Sequence, residues 1–120
     1  MRTIIAGSRT IRDYNIVAYA IELSAMNITE VVCGGAGGVD TLGERWANIR
    51  NIPVKHFYAQ WDSYGKSAGY MRNIDMAKYA DACIVVWDGK SKGAKHMYNI
   101  AKESGMDTFL YTLPRVKIVI

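Results

Sequence analysis

Cysteine, histidine, proline and phenylalanine each occur only twice in the 120 residues. Cys33 and Cys83 form no close pair and no zinc spacing, so no disulfide framework is expected and both read as reduced, buried thiols. His56 and His96 have no metal-ligand spacing either, so no metal is expected. No apolar run approaches the roughly 20 residues of a membrane span. Met1-Arg2-Thr3 leads straight into a strand-like run rather than a signal peptide. The expectation is a cytoplasmic protein with no membrane partner. Neither sign of charge dominates: the formal net charge is +4, with no dense Lys/Arg tract. That balance suits an anionic small ligand better than a nucleic acid.

What is present is apolar material. Half of the residues are hydrophobic, enough for a core in one domain spanning 1–120, without staples. Apolar runs at Thr3–Ala6, Glu30–Cys33, Val54–Tyr58, Ala82–Trp87 and Thr108–Thr112 read as strands. Helical periodicity fills Arg12–Met26, Val39–Arg50, Ala68–Tyr79 and Ala94–Ser104. In the first helix Ile16, Ala20 and Leu23 share a face, with Val17 and Ile21 beside them. In the second the stripe is Val39, Leu42, Trp46 and Ile49, and Pro53 bars continuation. In the last it is Met97, Ile100, Ala101 and Ser104, with Gly105 as C-cap. Ala59–Ser67 reads as a long polar and aromatic loop, and Arg115–Ile120 as a sixth, edge strand. Strict strand–helix alternation predicts a three-layer α/β, Rossmann-like domain. Its sheet should be mainly parallel, with about five strands in the order 3-2-1-4-5 and helices on both faces.

In such sheets ligands sit beyond the C-terminal strand ends, so the loops there carry the functional signal. After strand one, Gly7 allows a tight turn, Ser8 offers a hydroxyl and Arg9 a two-donor fork for phosphate. After strand two, Gly34, Gly35, Gly37 and Gly38 remove side chains just before a helix, where backbone amides can face an anion. A tight turn packed on a neighbouring helix is the plainer alternative. The loop lacks the Lys-Ser/Thr ending of NTPase loops, and its spacing is not that of a dinucleotide fingerprint. No cofactor is therefore expected. Asp40 and Glu44, four apart on the next helix, either hold ribose hydroxyls, act as acid and base in an enzyme, or complement the helix dipole. After strand four, Asp88, Ser91 and Gly93 open another helix, flanked by lysines. The stretch Trp61–Asn73 mixes Trp61, Tyr64 and Tyr70 with Lys66 and Arg72, a combination that can hold a base and its phosphates.

The segments "AGSRT", "CGGAGGVDTLGERWA", "WDSYGKSAGYMRN" and "ADACIVVWDGKSKGA" resemble, in order and over nearly the whole chain, the YspA-like, YpsA-related branch of the SLOG superfamily. That superfamily also holds the Lonely Guy phosphoribohydrolases and the DNA-uptake protein Smf/DprA. The resemblance implies a Rossmann-like fold that recognises nucleotide-derived molecules. It carries over Gly7, Ser8 and Arg9, then Gly34, Gly35, Gly38, Asp40 and Glu44. It also carries over Arg72 and Asn73, and Asp88, Ser91 and Gly93. Relatives usually place Thr after that last glycine; this chain has Ala94, one hydroxyl fewer.

The leading expectation is a module that senses or sequesters a phosphate-bearing, nucleotide-derived molecule. An ADP-ribose-like or cyclic signalling nucleotide in bacterial or phage immunity is the expected class. The second reading is a small hydrolase cutting an N-glycosidic or phosphoribosyl bond with Glu44 or Asp40. The third is a single-strand nucleic-acid binder. The absent nucleophile and Ala94 favour binding, and the exposed aromatics are compatible with a homodimer.

Overall fold

The computed structural model describes residues 1–113; the expected sixth strand, Arg115–Ile120, lies outside them. The elements run β1 (Arg2–Gly7), α1 (Tyr14–Ser24), β2 (Glu30–Cys33), α2 (Val39–Ile49) and β3 (Val54–His56). They continue with α3 (Trp61–Tyr64), a 3₁₀ turn (Gly65–Ser67), α4 (Ala68–Tyr79), β4 (Ala82–Trp87), α5 (Lys92–Glu103) and β5 (Asp107–Thr112). The sheet has the expected order β3-β2-β1-β4-β5, and all four pairings are parallel.

Burial on both faces explains why the central strands are continuously apolar. Ala82, Cys83, Ile84, Val85 and Val86 of β4 are all fully inaccessible. Alternate residues point to opposite faces. Ile5, Val31, Ile84 and Val86 pack with Val17 and Ile21 of α1 and with Trp46 and Ala47 of α2. Ile4, Val32, Cys83 and Val85 pack with Met76 of α4 and Met97 and Ala101 of α5. Truncating one of the buried isoleucines to Ala should cost about 2–5 kcal/mol.

Several sequence readings need adjustment. Ala59–Ser67 is not an extended loop: Trp61–Tyr64 is a short helix that runs through a 3₁₀ turn into α4. Ile49 is 58% exposed. The buried face of α2 is Val39, Asp40, Gly43, Trp46 and Ala47, because Gly43 lets the helix settle onto Ile5. Leu23 is exposed, and Val17, Ala20 and Ile21 carry the contact of α1. Ser104 is exposed, leaving Met97 and Ala101 to anchor α5. Helix α1 starts at Tyr14, where the Asp13 side chain accepts from the Asn15 amide, as N-cap residues do. No helix among the described residues is long and apolar enough to cross a membrane.

Candidate functional site

From β1 the chain moves outward to β2 and β3, then returns across β1 to lay down β4 and β5 on the other side. The loops leaving β1 and β4 therefore diverge and frame a crevice at this switch point. A cleft of about 460 Å³ opens there. Gly7 and Arg9 line it from the β1 loop, Ala36 and Asp40 from the β2 side, and Arg72 and Asn73 from α4. Asp88, Lys90, Ser91 and Gly93 line it from the β4 side, and Ala6, Met76, Ala94 and Met97 give it an apolar floor.

The loops are bound to one another by short polar contacts. Ser8 is fully buried. Its Oγ accepts from the Asp88 amide at 2.9 Å, so it ties the β1 loop to the β4 loop from beneath. The Thr10 hydroxyl donates to Asp88 Oδ2 at 2.7 Å. Asp88 Oδ1 accepts from the amides of Lys90 and Ser91 at 2.8 and 2.9 Å. These donors, Thr10 first, hold the Asp88 carboxyl well below the usual carboxylate range. Ser91 then caps α5, its Oγ accepting from the Ala94 amide.

Glycine geometry sets the β2 loop. Gly38 has φ +56° and ψ −123°, and a Cβ there would lie 2.5 Å from Ser8 O and Arg9 Cα. Only glycine fits both the dihedrals and the approach. The start of α2 is already engaged: the Val39 amide donates to Ser8 O and the Asp40 amide to Gly37 O. The amides of Gly37 and Gly38 donate no hydrogen bond among the described residues.

Asp40 is buried, and its Oδ2 accepts from the Ala36 amide at 3.0 Å. Burial raises its pKa, against the opposing pull of the Ala36 amide and the Arg72 and Arg9 charges. Arg72 Nη1 donates to Gly34 O at 2.7 Å, joining α4 to the glycine loop across the cleft. Its pKa is lowered, first by burial and further by the like charge of Arg9. Arg9 itself is exposed and makes no hydrogen bond or ion pair among the described residues. Two arginines thus face one cleft and repel each other there.

Eight of the fourteen residues expected from sequence line the cleft directly: Gly7, Arg9, Asp40, Arg72, Asn73, Asp88, Ser91 and Gly93. Ser8, Gly34 and Gly38 are not in the lining but contact residues that are: Ser8 holds Asp88, Gly34 abuts Arg72 and Gly38 abuts Arg9. Gly35 and Gly37 are not in the lining. Glu44 lies elsewhere: its Oε2 is 3.2 Å from His56 Nε2, and these two gather with Cys33. Burial, with the Asp40 and Glu44 charges, pushes the Cys33 thiol up to about 12. His96, given no role from sequence, does not line the cleft but backs its Asn73: His96 Nδ1 is 3.1 Å from Asn73 Nδ2, and its ring packs on Tyr70 at 4.3 Å. Its place one helical turn after Gly93 was the only signal. Burial lowers its pKa.

Residues 1–64 match the YspA, cpYpsA-related SLOG family, YAcAr. The "Gene 61 protein" of Mycobacterium phage D29 is 37% identical over 114 residues, covering 88% of this chain and 91% of that protein. Among solved structures, DNA processing protein A (DprA) from Streptococcus pneumoniae is similar over 91% of this chain, with a TM-score of 0.73 and 19% identity. The chain spans 49% of that DprA chain, and the likeness concerns the fold. With a family match across more than half of its length and a relative that parallels nearly all of it, the chain belongs to the YspA, cpYpsA-related SLOG family.

Proposed function

We propose that the cleft binds a phosphate-bearing, nucleotide-derived small molecule and holds it without turnover. The observation that carries this reading is the convergence of Arg9, Arg72 and Lys90 on one apolar-floored cleft at the switch point of the sheet. An anion between Arg9 and Arg72 would relieve their mutual repulsion, and each guanidinium offers phosphate a planar pair of donors. Met76, Met97 and Ala94 supply the apolar surface a base needs. Asp40 and Asn73 are the polar groups placed for sugar hydroxyls. Gly7, Gly34, Gly35, Gly37, Gly38 and Gly93 keep the walls low, while Ser8, Asp88 and Ser91 hold the loops in register. Within SLOG chemistry, an ADP-ribose-like or cyclic signalling nucleotide, sensed or sequestered in bacterial or phage immunity, is the class we favour.

Binding is favoured over hydrolysis because the two carboxylates expected to share the chemistry are separated. Asp40 lines the cleft and Glu44 does not. Of that pair only Asp40 is left to a hydrolase, and its Oδ2 accepts from the Ala36 amide. The other carboxylate at the cleft, Asp88, is held by Thr10 and the amides of Lys90 and Ser91.

The test is to incubate the protein with a panel of ADP, ADP-ribose, and cyclic mono- and dinucleotides. Retained and free material are then analysed by mass spectrometry. At least one nucleotide should stay bound and chemically unchanged. Arg9→Ala should weaken it by roughly tenfold to more than a hundredfold, the scale of a lost hydrogen bond to a charged group. Retention of no nucleotide, or release of free base, would overturn the reading.

A further inference from the structure

A second cluster of functional side chains lies outside the cleft. We propose that Cys33, Glu44 and His56 form a binding site for a divalent transition-metal ion of the zinc class. One donor atom from each lies within 4.8 Å of the other two, and His56 Nε2 and Glu44 Oε2 are 3.2 Å apart. Two ligands held at 2.0–2.1 Å from a tetrahedral ion stand roughly 3.3 Å apart, and a thiolate stands roughly 3.6 Å from either. The His–Glu separation already matches the bound geometry. Glu44 is partly exposed and has three rotatable bonds, so its carboxylate can follow an ion toward Cys33, and the His56 ring need move only by the difference between at most 4.8 Å and the bound separation.

The backbone prepares this arrangement. Cys33 and His56 end adjacent parallel strands and are register partners, so their side chains leave the same face of the sheet. Glu44 descends onto that face from α2, one turn after Asp40. His56 is further oriented by Tyr58, whose ring stacks on it at 5.5 Å with an interplanar angle of 6°. A fixed ring orientation is what metal-bound histidines need.

The donor set selects the ion. Thiolate, imidazole and carboxylate together suit a borderline-soft cation, whereas magnesium and calcium prefer oxygen alone. Three protein ligands leave a fourth position for water. It can open on the side where His56 and Glu44 reach solvent. None of the three residues lines the nucleotide cleft, so this site stands or falls separately from it.

The experiment titrates cobalt(II) and zinc(II) into the whole chain. Cobalt should bind one equivalent, with the near-ultraviolet charge-transfer absorption of a cobalt–thiolate bond and the visible bands of a tetrahedral ion. Zinc should displace it. Cys33→Ser should abolish the thiolate absorption, and His56→Ala and Glu44→Gln should each weaken binding at least tenfold, with unchanged far-ultraviolet circular dichroism. Cys83→Ser and Arg9→Ala should bind cobalt as the parent does. The proposal is overturned if one equivalent of cobalt gives no thiolate absorption. It also fails if that absorption survives in Cys33→Ser, or if folded His56→Ala and Glu44→Gln both bind with parent affinity.

Discussion

Three glycines of the β2 loop should respond to alanine in three different ways. At Gly37, φ is +84° and a Cβ would meet nothing within 4 Å. The substitution carries only the left-handed penalty of an L-residue, about 1–2 kcal/mol, partly offset by a less flexible unfolded chain. A net loss of about 1 kcal/mol is expected. At Gly38 the dihedrals belong to a region that is essentially glycine-only, costing about 1–3 kcal/mol. The new Cβ also strikes the backbone of Ser8 and Arg9, and such overpacking costs typically about 1–3 kcal/mol more. The sum is about 2–6 kcal/mol, a large share of the 5–15 kcal/mol available to a typical domain. At Gly34 the Cβ would meet the Arg72 side chain at 2.8 Å, and a side chain can swing aside. Stability should fall little, while nucleotide affinity falls because Arg72 leaves its place. Urea denaturation supplies the stabilities, and melting temperatures should follow at about 3–5 °C per kcal/mol. Equal losses at Gly37 and Gly38 would refute the steric reasoning. An unchanged affinity in Gly34→Ala would take Arg72 out of the site.

Other expectations follow from the charges. Arg9→Lys should recover only part of the affinity lost in Arg9→Ala, because an ammonium cannot reproduce the planar fork; calorimetric titration with the retained nucleotide checks this. Asp40→Asn keeps an acceptor for the Ala36 amide but removes a buried charge whose folded pKa is raised. The variant should be more stable than the parent at neutral pH. That gain should vanish as pH falls below about 3.9, where the parent's Asp40 is protonated folded or unfolded. Denaturation at neutral and strongly acidic pH would expose a wrong sign. Asp88 has the opposite character: its folded pKa is depressed, so its contribution is present above about 3.9 and is lost as pH falls through the lower folded value. Asp88→Ala should flatten that part of the acid unfolding profile and lower stability at neutral pH.

The fold was legible because its signals are local. Gly7, the glycine run after Cys33 and the Ser91 cap each punctuate an apolar run or a helix start. The length of the β4 run also marks a central strand. The face of α2 was read correctly at Val39 and Trp46 but not at Ile49, because periodicity counts apolar side chains and overlooks Gly43, which has none and packs directly on Ile5. The helical start of the α4 region was missed because Trp61–Ser67 is almost wholly exposed, and its composition reads as loop. In the cleft, loop residues beside their strands were recognisable. The Thr10–Asp88 and Asn73–His96 pairs were not, since each joins segments that only the folded sheet brings together. The Cys33–Glu44–His56 gathering was hidden for the same reason. Two of its members meet through strand register, which linear spacing does not encode.

The Arg72–Gly34 hydrogen bond spans two unequal parts of the chain. The family match reaches residue 64, covering the glycine loop and Arg9, and stops before Arg72 and Lys90. The matched portion therefore supplies the glycine cradle and one cation, while the later portion supplies the opposing wall and the other two. On the proposed reading, substitutions on α4 or in the loop after β4 should retune which anion is accepted while the glycine cradle stays intact. Ligand choice, on that reading, rests more on the later half of the chain than on the glycine cradle. Swapping the segment from Ala68 onward between two such proteins would transfer preference along with it.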